Sequence, residues 1–364
     1  MTIKVAKRDN NPKRNFVLVN TTMSKHIPTN PKETKEMCCD LAYKIKEIVG
    51  NRRVLLIAFA ETATAVGGLI SKILPNSYFI TTTREVYKGE KSLQFLEEHS
   101  HAMEQTLYIG DLQRRNLLKD FNCVVFVDDE FTTGKTILNF MEVLKRVVKE
   151  DSLFVASSFL MADVAEKNLT AHGMKIAYLE KVENKDYTKE FPETFIEDTV
   201  VSEDTAICCF KRSILSRINQ RIGAESTEYN ADMWEMVETT YNSIKRLIKD
   251  YKTIRVMSTE EYTHLAIELG EKLMDAANKK VVVHSVTRSP ILPSDDEDYV
   301  IHSRVKLKSL YDRDRTVYMY NTMDKVTDLA ILVTDAKITG YSERLEEMCR
   351  ALNSENVLIL NVRR

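Results

Sequence analysis

The sequence predicts an α/β protein of two lobes, each built on a parallel sheet flanked by helices. Three observations carry this. Apolar runs of strand length alternate with helical stretches of about ten residues, the pattern of a doubly wound sheet. The chain has 364 residues, enough for two domains, and 43% of them are apolar, enough to fill two cores. A degenerate echo of the first half runs through the second.

In the first half, Val54 to Phe59 reads as a strand, followed by the small-residue segment Ala60 to Gly68 and a helical stretch, Leu69 to Ile73. Strand candidates follow at Ser77 to Thr81, Leu107 to Ile109 and Val124 to Val127. Thr136 to Val148 has helical character. Leu153 to Phe159 and Met174 to Leu179 are further strands, with the helix Ala162 to Ala171 between them. In the second half, Thr253 to Met257, Lys280 to His284, Thr316 to Tyr320, Leu329 to Val333 and Val357 to Leu360 read as strands, with helices over Ala266 to Ala276 and Ser342 to Leu352. Between the halves, Ile214 to Ile222 and Met233 to Ile248 carry helical periodicity, and Trp234, the sole tryptophan, reads as a packing anchor. The expected division is 1–215, a helical connector 216–250, and 251–364.

Composition narrows the function. A net charge of −2 gives no bulk pull toward nucleic acid or an anionic membrane. No stretch approaches the roughly 18 apolar residues of a membrane helix, and no signal-peptide core is present, so a cytoplasmic protein is expected. Six cysteines include two vicinal pairs and no C-x-x-C, which points to reduced thiols, neither a zinc site nor a disulfide framework.

The most informative segment is Cys123 to Thr136. Its apolar run delivers two adjacent carboxylates, Asp128 and Asp129, and then turns through Thr132-Thr133-Gly134 into a helix. Such acids accept hydrogen bonds from two neighbouring sugar hydroxyls. The loop offers N–H groups, threonine hydroxyls and the positive end of a helix to a phosphate. Gly134-Lys135-Thr136 looks like the end of a nucleotide-triphosphatase loop, but that motif needs a glycine where Asp129 stands.

Residues 123–136 resemble the phosphoribosyl-pyrophosphate (PRPP) signature of type I phosphoribosyltransferases. The resemblance implies a type I phosphoribosyltransferase-like parallel sheet domain followed by a second, Rossmann-like α/β domain. It places Asp128 and Asp129 on the ribose 2- and 3-hydroxyls, and Thr132, Thr133, Gly134, Lys135 and Thr136 on the 5-phosphate. Glu130 and Phe131 stand where the family prefers aliphatic residues, so Glu130 is also a candidate metal or substrate contact. Glu61, Thr62, Ala63 and Thr64 fall where the family grips pyrophosphate, often through a non-proline cis peptide. No periodic apolar face runs through Arg84 to Lys91, which reads as a mobile loop. Arg84, Lys88 and Lys91 are its basic residues, and the family closes such a loop over pyrophosphate to exclude water. The implied cofactor is Mg2+, held mainly by PRPP, with Asp128, Asp129 and Glu130 as candidate oxygen ligands. Glu97-Glu98-His99-Ser100-His101 reads as a solvated turn ahead of a base contact or a metal site, because an i, i+2 histidine pair shares a face only on a strand.

The second half repeats parts of this pattern. Val127 to Gly134 lies over Val333 to Gly340 with Val, Asp, Thr and Gly coinciding, and Thr83-Arg84 corresponds to Thr287-Arg288. Thr334 stands where Asp128 stands, so this half is not expected to perform PRPP chemistry. Thr287-Arg288-Ser289-Pro290 follows a strand, and its arginine suits a carboxylate or phosphate. With Ser24-Lys25-His26-Ile27-Pro28 and the features above, the chain resembles two-domain bacterial phosphoribosyltransferases carrying a C-terminal TRSP domain, associated with tellurium-resistance and stress gene clusters. That resemblance implies a homodimer that joins the ribose 5-phosphate of PRPP to a small nitrogenous acceptor and releases pyrophosphate. A non-catalytic PRPP or nucleotide sensor and a scaffold of a stress complex are the alternatives.

Overall fold

A computed structural model describes every residue except 10, 12, 13, 96–104, 184, 203–206, 324 and 341. The chain runs β1 (Ile3–Lys7), β2 (Phe16–Asn20), α1 (Pro31–Val49), β3 (Val54–Ala58), α2 (Ala63–Ser71), β4 (Ser77–Thr81), β5 (Ser92–Phe95), β6 (Gln105–Tyr108), α3 (Gly110–Arg114), β7 (Cys123–Phe131), α4 (Lys135–Lys145), β8 (Leu153–Ala162), α5 (Asp163–Ala171) and β9 (Lys175–Val182). It continues with β10 (Cys208–Leu215), β11 (Ala224–Glu225), α6 (Ser226–Ile244), β12 (Thr253–Thr259), α7 (His264–Ala277), β13 (Lys280–Val286), β14 (Arg304–Lys308), β15 (Thr316–Tyr320), β16 (Leu329–Thr334), α8 (Glu343–Arg350) and β17 (Asn356–Arg363). None of the helices among the described residues is long and apolar enough to cross a membrane.

Two compact units emerge, each assembled from non-adjacent segments. One comprises Glu36–Lys185 with Arg217–Trp234, and the other Met1–Lys35, Asp186–Ser216 and Glu235–Arg364. The stretch 216–250 is thus shared between them, as are α1 and α6.

The first unit carries a six-stranded sheet in the order β11-β4-β3-β7-β8-β9, parallel except for the short strand β11. Strands β3 and β4 are buried along their whole length, as expected where helices cover both faces of a parallel sheet. On one face, Leu55, Ile57, Phe59 and Phe126 pack with Ile137, Phe140 and Leu144 of α4 and Leu169 of α5. The Phe126 ring lies 6.0 Å from Phe59, 5.7 Å from Phe140 and 6.2 Å from Phe154. Each such buried ring contributes roughly 1.5–3 kcal/mol. Against the other face α2 packs closely. A Cβ at Gly67 would fall 2.4 Å from Ala58 Cβ and 2.8 Å from Phe79 Cε2, so this contact admits only glycine.

The second unit carries a five-stranded parallel sheet in the order β10-β17-β16-β12-β13. Its plan repeats that of the first in register. Ala58 lies opposite Thr81 and Val127, and Ser258 lies opposite Ser285 and Val333. An antiparallel hairpin, β5–β6 or β14–β15, sits between the equivalent strands, and Thr83 bridges Thr106 as Thr287 bridges Tyr318. The correspondence of Thr83-Arg84 with Thr287-Arg288 therefore holds in the sheet as well as in the sequence. The outermost strand breaks the repeat: β9 follows β8 in the chain, whereas β10 comes from upstream of its sheet.

Several expected elements differ. Leu107 to Ile109 and Thr316 to Tyr320 contribute to the two hairpins, not to the parallel sheets. Ile214 to Ile222 is not a helix: Ile214 and Leu215 close β10, which pairs in parallel with β17 from Cys208 opposite Asn356 to Leu215 opposite Arg363, and 216–222 form turns and loop. Tertiary pairing outweighs local periodicity there. Trp234 is 67% exposed and anchors no core.

His284 lies fully buried on β13, and neither ring nitrogen has a hydrogen-bond partner among the described residues. Burial, and then the nearby Arg255 guanidinium, hold its pKa well below the usual 6.5. A lowered folded-state pKa places its stabilisation above the unfolded value. That stabilisation is lost as pH falls below 6.5, at about 1.4 kcal/mol per pH unit for one proton. Urea unfolding at pH 7 and pH 5 is expected to show this slope in the native chain and a shallower one in His284→Leu. Equal slopes would contradict the assignment.

Candidate active site

In the first unit the chain passes from β3 through α2 to β4 on one side, and then crosses to β7 on the other. The β3/β7 boundary is thus the switch point, where loops diverge beyond the strand ends and open sheets bind ligands. The loops after β4, β3 and β7 lie side by side there, bringing together Arg84, Glu61-Thr62 and Asp128-Asp129.

Strand β7 runs four residues beyond the expected end at Val127. The partner β3 stops at Ala58, opposite Val127, but β8 continues, pairing Asp128 with Ser158 and Phe131 with Met161. This one-sided extension holds the acids on regular backbone. Asp128, Asp129 and Glu130 are half-buried, and the Asp129 N–H donates to Asp128 Oδ1 at 2.9 Å. At the other end of the strand, burial pushes the Cys123 thiol up to about 12, which keeps it a neutral core group.

The turn after β7 has the features of an anion cradle. Gly134 is the N-cap of α4 with φ of 75°, a conformation that costs a side-chain-bearing residue about 1–2 kcal/mol. The N-cap Gly134 offers no side chain to this helix start, and no acid lies in its first turn, so its positive pole meets no carboxylate of its own helix. Thr133 is held in place: its carbonyl accepts from Asn168 Nδ2 at 3.0 Å and its Oγ1 accepts from the Lys135 N–H at 3.4 Å. Thr132 and Thr136 are half-buried and Lys135 is exposed.

The β3 loop is shorter than expected. It spans residues 59–62, and the Ala60–Glu61 peptide is cis. Ala63 and Thr64 already belong to α2 and are buried, with Thr64 Oγ1 donating to the Glu61 carbonyl at 3.2 Å. Two residues outside the expected site fix this loop. The Ala60 N–H donates to Thr82 Oγ1 at 2.8 Å, Gln105 Nε2 donates to the Ala60 carbonyl at 2.9 Å, and Thr82 Oγ1 donates to Gln105 Oε1. Both side chains are buried. Thr82 lies next to the Thr83-Arg84 motif, but Gln105 had no local signal.

Arg84 is half-buried, and Lys88 and Lys91 are exposed. Their segment is tied at both ends: Tyr108 Oη accepts from the Tyr87 N–H at 2.9 Å, and the Ile109 N–H donates to the Lys91 carbonyl at 2.8 Å. His99 and His101 lie outside the described residues. Among the described residues, no three His, Cys, Asp or Glu side chains are grouped to hold a metal ion. The oxygen donors of Asp128, Asp129 and Glu130 suit Mg2+, which is commonly bound through one or two carboxylates, substrate phosphates and water.

In the second unit, Arg288 follows β13 as expected, but its guanidinium is engaged within the chain. Nη2 donates to Glu261 Oε1 at 3.0 Å, and Nε lies 3.5 Å from Glu260 Oε2. Arg315 also donates to Glu260, at 2.9 Å. Thr287 is buried and its Oγ1 accepts from the Ser289 N–H at 3.2 Å, closing the turn on itself. The anion expected at Thr287, Arg288 and Ser289 is thus matched by internal carboxylates on the arginine.

Residues 2–181 match a family model described as phosphoribosyl transferase, and residues 219–352 match one described as the TRSP domain C-terminal to it. No curated protein matches the chain. Among solved structures, adenine phosphoribosyltransferase from Leishmania tarentolae is similar at 14% identity and a TM-score of 0.38, over 49% of this chain and 83% of that one. The adenine enzyme from Trypanosoma brucei, in complex with AMP, pyrophosphate and ribose-5-phosphate, is similar at 14% identity and a TM-score of 0.39, over 55% and 85%. A hypothetical protein from Neisseria gonorrhoeae with bound ppGpp is similar at 16% identity and a TM-score of 0.29, over 44% and 86%.

Proposed function

Given that the chain belongs to the phosphoribosyltransferase family with a C-terminal TRSP domain, we propose that it transfers ribose 5-phosphate from PRPP to a nitrogen atom of a small acceptor, releasing pyrophosphate. The observation that carries this is the half-buried acid pair at the end of β7, followed at once by the glycine-started helix α4, whose first turn holds no acid. Asp128 and Asp129 accept the ribose hydroxyls. The N–H groups after Thr132, with Thr133, Lys135 and Thr136, receive the 5-phosphate. Pyrophosphate lies against the Glu61-Thr62 loop, with the buried Ala63 and Thr64 behind it; the Ala63 N–H is already given to the Phe59 carbonyl at 3.1 Å.

As the C1–O bond breaks, its electron pair leaves on pyrophosphate and positive charge develops at C1. The acceptor nitrogen then forms the C1–N bond and gives up its proton. The two carboxylates beside the ring favour that positive charge, while Arg84, Lys88 and Lys91 neutralise the leaving group and exclude water. Asp128, Asp129 and Glu130 are the oxygen donors that would hold Mg2+, which when bound would further neutralise pyrophosphate.

The test is pyrophosphate release from PRPP and Mg2+ across a panel of nucleobases and related nitrogen heterocycles. At least one acceptor is expected to support turnover, with Arg84→Ala and Lys88→Ala lowering kcat about 10²-fold. Saturable PRPP binding without release for any acceptor would identify a sensor instead.

A further inference from the structure

The second unit contains a cavity that its Thr-Arg-Ser-Pro turn does not account for. It has a volume of about 620 Å³ at the C-terminal ends of β16 and β17, beside Lys211 in the middle of β10, within the range of small-molecule sites. By register it occupies the place that the acid pair and phosphate loop hold in the first unit, since Val333 corresponds to Val127.

Its chemistry has changed in two ways. The positions that would grip a sugar diol are engaged internally. Thr334, in place of Asp128, accepts at Oγ1 from Thr259 Oγ1 at 2.8 Å. Asp335, in place of Asp129, has a side chain only 1% exposed, pairs with Arg364 at 2.8 Å and accepts from Tyr311 Oη. The helix start has also lost its anion character: Ser342 caps α8 by accepting the Leu345 N–H, and Glu343 and Glu346 sit in the first turn.

Cations supplied from the sides of the cavity replace both features. Its lining includes Lys211, Lys337, Arg363 and Arg364 against Asp335 as the one acid. Lys211, Lys337 and Arg363 are exposed, on three separate segments that converge there. The loop floor is preformed, because the buried Asn361 donates Nδ2 to the Ala336 carbonyl at 2.9 Å. An excess of cations around a cleft with a fixed floor recognises phosphate oxygens through charge-assisted hydrogen bonds.

We infer that this cavity binds a phosphorylated small molecule of nucleotide size and performs no phosphoribosyl chemistry on it. The experiment titrates the full chain with inorganic pyrophosphate and, separately, with AMP, in an Asp129→Asn background that also carries Arg84→Ala and Lys88→Ala, so that the ribose and pyrophosphate contacts of the first site are both weakened. Saturable binding of at least one probe is expected to survive in this background. It is expected to weaken at least tenfold when Lys211→Glu, Lys337→Glu and Arg363→Glu are added, with an unchanged melting temperature. Lys337→Ala alone, a milder change, is expected to weaken binding in the same direction. No saturable binding of either probe in that background, or equal affinity with and without the charge reversals, would overturn the inference. The inference does not require turnover at the first site, so failure there is separable from failure here.

Discussion

Replacing Asp128 and Asp129 together by asparagine is expected to lower kcat/KM for PRPP about 10²- to 10⁴-fold, because two charge-assisted hydrogen bonds of roughly 1.5–3 kcal/mol each are lost. Stability is expected to change little. Both side chains are half-buried, and asparagine retains an Oδ1 that can accept the bond the Asp129 N–H now makes to Asp128. Steady-state kinetics beside thermal melting separate the two effects. Full activity in the double variant would remove the acids from the mechanism, whereas a large drop in melting temperature would make them structural.

Gly134→Ala is expected to damage both fold and site. The new side chain must adopt φ of 75°, costing about 1–2 kcal/mol. Its Cβ would also lie 2.8 Å from Leu169 Cγ and 2.9 Å from Cδ2, forcing a shift worth roughly 1–3 kcal/mol. Leu169 follows Asn168, whose amide holds the Thr133 carbonyl, so a displaced α5 pulls on the phosphate loop itself. A fall of about 2–5 kcal/mol in unfolding free energy is expected, with at least a tenfold loss of PRPP affinity. Chemical denaturation and calorimetric titration measure the two. Native values for both would show that the loop tolerates a side chain.

The acids and the glycine loop were legible because strand, turn and helix follow one another within fourteen residues, and each reports locally on its neighbour. The same locality explains why the repeat of Thr83-Arg84 in Thr287-Arg288 was visible. What was hidden depends on distant partners. Nothing near Gln105 reveals that its amide holds Ala60, and nothing in β10 reveals β17 as its neighbour. Arg288 read as an open anion grip because only folding brings Glu260 and Glu261 to it. The cationic cavity was invisible for a related reason: Lys211, Lys337 and Arg363 belong to segments far apart in the chain.

The central claim is that the acid pair of β7 holds a ribose diol. It is tested most directly by calorimetric titration of ribose 5-phosphate against 2-deoxyribose 5-phosphate, in the native chain and in Asp128→Asn/Asp129→Asn. The two sugars carry the same phosphate, so any binding through phosphate alone contributes equally to both. The native chain is expected to prefer ribose 5-phosphate by about tenfold or more, and the double variant to lose that preference. Equal affinities in the native chain, or a preference that survives the double substitution, would contradict it.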